Sequence, residues 1–408
     1  MSEDGPHARE AVRRLRSNQI RDVANAAMGT TDLLPLWFGE SDRVTPRAIR
    51  EAAIASLAAG ETFYSPNLGH PTLREDIAAY VSRLHGRVDG GRIAVTSSGV
   101  SALMLTLQSL VAPGDRVIVV TPVWPNLVEM PRILAAEVTC VPLRFGPRGW
   151  ALDLDRLLES LEPGVRALLI NSPNNPTGWT IRRDEQEALL SRCREIGAWI
   201  VADDVYERLF FRGPCAPSFL DIASESDRVV SCNSFSKAWC MTGWRVGWAV
   251  LPREVPADFA KLIEFNTSCV PQFVQRAAST ALRDGEREVA FLVERIAANQ
   301  RNVRRLLAGM PRIELGEPAA CISSCACAAC ATAWSSADSW SRGAAWGLHP
   351  ARPSAKRRQG FCAGVLRSKA IVWKRAFAGS GGSWKSPGRA DFRAARARRR
   401  NSSAGRPR

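Results

Sequence analysis

Residues 233–247 read NSFSKAWCMTGWRVG, and the reading of this stretch decides the fold. Upstream, DRVVS at 227–231 has the β-branched character of a strand end, and VGWAVL at 246–251 reads as the next strand. Lys237 therefore belongs to a loop between two buried strands. Phe235, Trp239, Met241 and Trp244 flank it, and desolvation among such neighbours lowers an amine's pKa and frees its lone pair. A lysine so placed can form a Schiff base with an aldehyde. Ser234 and Ser236 before it and Arg245 after it suit a phosphate. Taken alone, a lysine and an arginine at this spacing are more often a structural or solvated pair.

Working outward, short β-branched runs alternate with helical patterns from residue 92 onward. The runs cover 93–96, 117–121, 138–141, 167–171, 199–203, 229–233 and 246–251; helices at 101–110, 154–161 and 184–196 fall between them. Such alternation predicts an α/β fold, a mainly parallel seven-stranded sheet with helices on both faces. Ligands in these sheets bind outside the carboxyl ends of the strands, and the polar residues of interest lie at those ends. Ser98, Gly99 and Val100 make a strand-to-helix turn whose free N–H groups favour a phosphate, although a tight turn that needs glycine reads the same way. Trp124 follows Thr121-Pro122-Val123 and is compatible with plain core. NSPNNPTG at 171–178 is dense enough in turn residues to form a rigid loop around Asn175. Asp203 ends the run AWIVAD, with Tyr206 three residues on. A carboxylate at a buried strand end is costly unless paired.

In this order and at these separations, Tyr64, Ser98-Gly99, Trp124, Asn175, Asp203, Tyr206, Ser234-x-Ser236-Lys237 and Arg245 resemble the fold-type-I, pyridoxal-phosphate-dependent aminotransferases of class I/II, near the aspartate aminotransferase branch. The motif resemblance runs from about Leu34 to Arg312. It implies transfer of an amino group from an L-amino acid to a 2-oxo acid, 2-oxoglutarate being the expected acceptor, by a ping-pong mechanism. It implies that Lys237 holds pyridoxal 5′-phosphate and serves as catalytic acid–base. Asp203 would keep the ring nitrogen protonated, with Asn175 and Tyr206 on the phenolic oxygen and Trp124 stacked on the ring. Ser98, Gly99, Val100, Ser234, Ser236 and Arg245 would hold the phosphate. Tyr64 would reach the phosphate of a neighbouring subunit, hence an expected homodimer. Gly39, Trp124 and Asn175 would contact substrate. Asp204 stands where the family usually has Glu. A C–S lyase or decarboxylase could share every cofactor residue.

The 408 residues allow two domains. The expected division is an N-terminal arm and part of a small domain at 1–45, a cofactor-binding large domain at 46–290 and the start of a small α/β domain at 291–318. A basic tail without regular structure is expected at 319–408. A helical arm is expected over 8–27 and helices over 46–58 and 71–84, the former opened by Thr45 as cap and Pro46 at the first position. No apolar run is long enough to span a bilayer, and MSEDGPHARE lacks the apolar segment of a signal peptide. Eleven cysteines, mostly single, suit a reducing cytoplasm and neither a disulfide framework nor a metal site.

The formal charge of +15 raises a nucleic-acid reading. However, 18 of the 55 basic and 2 of the 40 acidic residues lie in 319–408, leaving 37 basic and 38 acidic residues in the body. The excess belongs to the tail, which carries no recognisable nucleic-acid module. Its five Trp and clustered Cys are also unlike a disordered basic tail. Reading each codon from its third base instead, with wobble bases chosen freely, turns 320–325 into Met-Tyr-Leu-Phe-Leu. The same shift gives a Pro-Gly-x-x-Phe-Gly loop from 347–355 and Phe-Leu-Arg-Trp-Cys-Phe-Ala from 360–367. All three resemble the family's small domain, in family order. The arginine expected to bind the substrate's α-carboxylate would then straddle the codons of Cys362 and Ala363. As written, the chain lacks it there.

Overall fold

The computed structural model describes residues 7–15, 19–26, 38–146, 148–308, 313–315, 322–327 and 360–365. Arg312, positions 34–37 of the apolar N-terminal run, the 347–355 loop and the rest of the tail lie outside these residues. The arm expected as one helix comprises two, α1 (Glu10–Arg13) and α2 (Gln19–Ala26). There follow α3 (Arg47–Ala58), α4 (Pro71–Leu84), β1 (Ile93–Thr96), α5 (Gly99–Leu110), β2 (Arg116–Thr121), α6 (Asn126–Ile133) and β3 (Glu137–Pro142). A hairpin of β4 (Arg144–Gly146) and β5 (Gly149–Ala151) leads through α7 (Leu154–Ser160) to β6 (Val165–Asn171), α8 (Arg183–Ile196) and β7 (Trp199–Asp203). Next come β8 (Val229–Ser234), β9 (Gly247–Val250), α9 (Pro256–Glu264), α10 (Gln272–Asp284) and α11 (Glu286–Leu307).

The seven-stranded sheet has the order β1-β9-β8-β7-β6-β2-β3. Four of its pairings are parallel; β9 runs antiparallel to both β8 and β1. The mainly parallel α/β sheet read from the sequence is therefore present. Its strands are apolar on both sides, so alternate residues feed separate cores. Ile118 and Val120 of β2 and Leu168 and Ile170 of β6 pack with Leu157 of α7 and Leu189 of α8. Val117 and Val119 face the other way, with Leu103 and Leu107 of α5 and Phe259 of α9. Trp248 and Val250 of β9 join α3, α4 and α10 residues in a further cluster. Each fully buried Leu or Ile contributes roughly 1.5–3 kcal/mol.

Register then sets the site. Asn171 pairs with Asp203 and Asp203 with Cys232, so β6 and β7 end level with one another and β8 runs two residues further, to Ser234. On the far side of β8, Gly247 pairs with both Ser234 and Thr96.

Thr45 does not cap α3. Pro46 is the capping residue, without a side-chain bond, and Thr45 Oγ1 instead donates to the Cys240 carbonyl (2.6 Å) and accepts from Trp244 Nε1 (2.9 Å). A hydroxyl that finds tertiary partners in the lysine loop has no need of the helix's own N–H groups.

Within the stretch read as a basic tail, β11 (Ile322–Cys327) and β12 (Gly360–Val365) pair antiparallel, and β11 also pairs with β10 (Ile313–Leu315). Among the described residues, no helix is long and apolar enough to cross a membrane, and no group of His, Cys, Asp or Glu is arranged to hold a metal ion.

Candidate active site

The carboxyl ends of β6, β7 and β8 gather the polar residues picked out in the sequence. Asn171 closes β6 and works in two directions. Its Nδ2 donates to the Asp203 carbonyl (2.9 Å), and its Oδ1 accepts from the Asn175 N–H (2.6 Å). One side chain thus ties the turn loop to the neighbouring strand end. Sequence reasoning passed over it, although it is the first Asn of NSPNNPTG, at the strand's last position. Asn175 Nδ2 in turn donates to the Tyr206 hydroxyl (3.3 Å). Asn174 braces the loop from within, accepting from the Thr177 N–H (3.1 Å) and hydroxyl (2.7 Å).

Asp203 is 4 % exposed and accepts from the Val205 N–H at 3.4 Å. Burial pushes its pKa up to about 7, against the pull of that N–H and of the Lys237 charge. Asp204, next along, is pushed up to about 7 by burial and the Glu207 charge, while its carboxylate accepts from Ser231 (2.6 Å) and Ser218 (3.1 Å). These two adjacent carboxyls point to different tasks. Asp204 is bound by two hydroxyls, whereas Asp203 has a single long bond and lies within reach of the lysine's charge.

Lys237 lies between β8 and β9, on a loop as expected, and is half-buried. Its Nζ donates to the Gly39 carbonyl (2.6 Å) and sits 5.8 Å from the centre of the Tyr206 ring. The apolar residues expected to hem the amine do something else. Phe235, Trp239 and Met241 turn into the core with Tyr80 and Trp248, with Phe235–Trp239 and Phe235–Trp248 ring centres 5.1 and 4.9 Å apart. They anchor the loop from below and leave the ammonium on its upper side, beside Gly39 and Tyr206.

The phosphate candidates converge on one point. Ser98 caps α5, its Oγ accepting from the Ser101 N–H (3.0 Å). Ser234 and Ser236 are bonded to each other through their hydroxyls (2.9 Å), and Arg245 Nη1 reaches Ser236 Oγ (3.4 Å) and the Thr242 carbonyl (2.6 Å). Gly99 and Gly247 bring these groups together. A Cβ on Gly247 would lie no more than 2.7 Å from the Gly99 nitrogen, the Asn233 oxygen and the Ser98 carbonyl carbon. One on Gly99 would lie 2.9 Å from Ser234 Cβ. The glycine inside VGWAVL, unremarked in the sequence, is what lets the helix N-terminus approach the strand. Val100 and Trp124 are half-buried at the margin of the same core. Tyr64 stands apart from this group, 89 % exposed.

The arrangement joins an ammonium, a buried carboxylate facing it, an amide–phenol pair, and a nest of hydroxyls and a guanidinium at a helix N-terminus. It suits a ligand with an aldehyde, a basic ring nitrogen, a phenolic oxygen and a phosphate.

Comparison with known proteins agrees with this reading. Residues 32–343 match the family model for aminotransferase class I and II, a span that continues past Arg312, where the motif resemblance ended. The chain is 31% identical over 312 residues to an aspartate aminotransferase of Pyrococcus horikoshii, covering 76% of this chain and 79% of that protein. It is 34% identical over 288 residues to an aspartate/prephenate aminotransferase of Thermus thermophilus, covering 70% and 73%. Among solved structures, Thermus thermophilus aspartate aminotransferase with maleate superposes with a TM-score of 0.74 at 30% identity, covering 80% of this chain and 86% of that one.

Proposed function

Because this chain belongs to the class I and II aminotransferases, enzymes of pyridoxal-phosphate-dependent transamination, we propose that Lys237 carries the cofactor and catalyses amino transfer from an L-amino acid to a 2-oxo acid, with 2-oxoglutarate as acceptor. The observation that carries this is the meeting of Lys237, Asp203 and the Asn175–Tyr206 pair at the carboxyl ends of neighbouring strands.

The residues present fit the cofactor. Asp203 is a buried carboxyl suited to a cationic ring nitrogen, and the Gly99–Gly247 approach brings the start of α5 beside Ser234, whose hydroxyl is bonded to that of Ser236. When bound, the cofactor supplies an electron sink for the charge left as a proton departs from the substrate's α-carbon, and a carrier of the amino group between half-reactions. Asp203 would keep the ring nitrogen protonated. Asn175 and Tyr206 would hold the phenolic oxygen, and Trp124 would face the ring. Ser98, Gly99, Val100, Ser234, Ser236 and Arg245 would hold the phosphate. Lys237 Nζ takes the proton from the substrate's α-carbon as general base and returns it as general acid. Its link to the Gly39 carbonyl puts it at the segment whose Gly39 N–H receives the substrate carboxylate. Two half-reactions on one site give ping-pong kinetics.

The functional unit is a homodimer in which Tyr64 serves the neighbouring subunit. Tyr64 and Phe63 are 89 % and 82 % exposed, and Ile54 (63 %) and Phe265 (89 %) add apolar surface. Asn67, bonded to Glu264 and the Ser268 carbonyl, ties the Tyr64 loop to the end of α9. Apolar surface of this kind marks an interaction site. Among the described residues, Cys193, Cys215, Cys232, Cys240 and Cys269 are thiols outside any disulfide, in accord with a cytoplasmic setting.

Borohydride reduction followed by peptide mapping tests the central assignment. A pyridoxyl group at Lys237 is the expected result, and label on another lysine would refute it. Absorbance changes on titration with a panel of amino acids then identify the donor.

A further inference from the structure

Beneath the site lies a buried charged cluster that neither motif nor chemistry has yet used. His85, at the C-terminal end of α4, has a side chain only 1 % exposed. Its Nε2 lies 3.1 Å from a Glu207 carboxylate oxygen and its Nδ1 2.7 Å from one of Asp221. An imidazole with an acceptor at each nitrogen must donate from both, so it is the imidazolium. Burial opposes that charge, but the bonds to Asp221 and Glu207 outweigh it and push the pKa up to about 11.

The clamp acts on the segment that follows β7. Asp203, Asp204, Tyr206, Glu207, Arg208 and Leu209 are all buried. Glu207 N–H donates to the Asp204 carbonyl, and the Ala216 N–H to the Glu207 carbonyl, both at 2.9 Å. Asp221 accepts from the Ser218 N–H (2.9 Å), and Ser218 Oγ donates to Asp204. Arg208, one residue past Glu207, donates to the Tyr80 hydroxyl (2.7 Å) and pairs with Glu286. Cys215 borders the cluster, burial raising its pKa. The turn that presents Asp203 and Tyr206 upward is thus held from below by charge pairs, and His85 supplies the cation between two of its carboxylates.

We propose that His85 is a positioning residue for the site, its imidazolium fixing through Glu207 and Asp221 the turn that carries Asp203 and Tyr206. The inference rests on the reading of the site given above. It concerns where Asp203 and Tyr206 stand, so cofactor affinity and the pH at which the bound cofactor's visible band titrates report on it directly. Removing the imidazolium strands Glu207, 6 % exposed at its side chain, as an unpaired buried charge beside Asp204.

The test uses the full chain and pyridoxal 5′-phosphate itself. His85→Gln should weaken cofactor binding about fivefold or more and move the titration midpoint of the visible band by about half a pH unit or more. Asp227→Asn, which breaks the Arg194 and Ser224 contacts at the opposite end of β8, controls for lost stability. It should change neither readout. The double variant His85→Gln/Glu207→Gln removes the imidazolium and the more buried of its two carboxylates, leaving Asp221, and should recover part of the stability and part of the band shift. If His85→Gln binds the cofactor and titrates as the unmodified protein does, the inference fails alone. If the double variant folds no better than His85→Gln, the charge-pair account is wrong. An unmodified chain that shows no visible band with the cofactor would overturn the reading of the site and this inference with it.

Discussion

Asp203 shows how function and stability oppose each other at a single residue. Its folded pKa of about 7 lies above the ordinary 3.8 because burial disfavours the anion. A raised pKa means that the folded state binds the proton more tightly. This contribution to stability is therefore present below the ordinary value and is lost as pH rises from about 4 to about 7. Asp203→Asn should stabilise the cofactor-free protein at pH 8 by about 2–4 kcal/mol, since each tenfold difference in proton affinity is worth ~1.4 kcal/mol, and by little at pH 4. With pyridoxal phosphate present the order should reverse, because only the carboxylate pairs with a cationic ring nitrogen. Denaturant midpoints at both pH values, with and without cofactor, check this; equal stabilities at pH 8 without cofactor would refute the buried-charge account. The residue itself was legible, as a carboxylate ending an apolar strand run. Its partners were less so. Asn171 and His85 act through contacts 32 and 122 or more residues away in sequence, and nothing local in the chain marks such pairs.

At the scale of elements, the site depends on α5 starting against β9. Gly247 opens β9 directly below the first turn of α5, where the atoms crowding a Cβ are all backbone and cannot rotate away. Gly247→Ala should cost about 1–3 kcal/mol through overpacking and weaken cofactor binding by roughly tenfold or more, both read by chemical denaturation and absorbance titration. Full affinity in that variant would mean that the helix N-terminus does not hold the phosphate. The strands of the sheet were legible because their β-branched runs are fully buried and bounded by turn residues; the 93–96 and 199–203 runs coincide with β1 and β7. Strand direction was less so. The sequence has no signal that β9 runs antiparallel, since direction follows from the path of the lysine loop rather than from the residues of the strand. The same holds for Phe235, Trp239 and Met241. Their apolarity was plain, but which side of the loop they take is set by α4 and α10, which supply Tyr80 and the surrounding core.

At the scale of the whole molecule, two features remain to be reconciled with an active enzyme. In the proposed dimer Tyr64 serves the neighbouring subunit, so Tyr64→Ser should weaken cofactor binding without changing the monomer fold. Sedimentation of a cofactor-saturated, active monomer would contradict this. The C-terminal region is the second feature. β11 pairs with β12, Cys325 opposite Cys362 and Ser324 opposite Ala363, and the shifted frame writes apolar residues over the first strand and an arginine across the codons of 362 and 363. That arginine would be the group that grips the substrate's α-carboxylate. Losing such a charge-assisted contact removes about 1.5–3 kcal/mol per hydrogen bond, or roughly tenfold or more in substrate affinity for each. We therefore expect the chain as written to bind the cofactor at Lys237 yet transaminate poorly. Restoring the upstream frame by a one-base correction near residues 318–321 should lower the substrate KM at least about tenfold while leaving cofactor affinity close to unchanged. If the uncorrected chain transaminates as fast as the corrected one at limiting substrate, the shifted frame is not the ancestral one, and the basic segment takes over carboxylate binding by residues of its own.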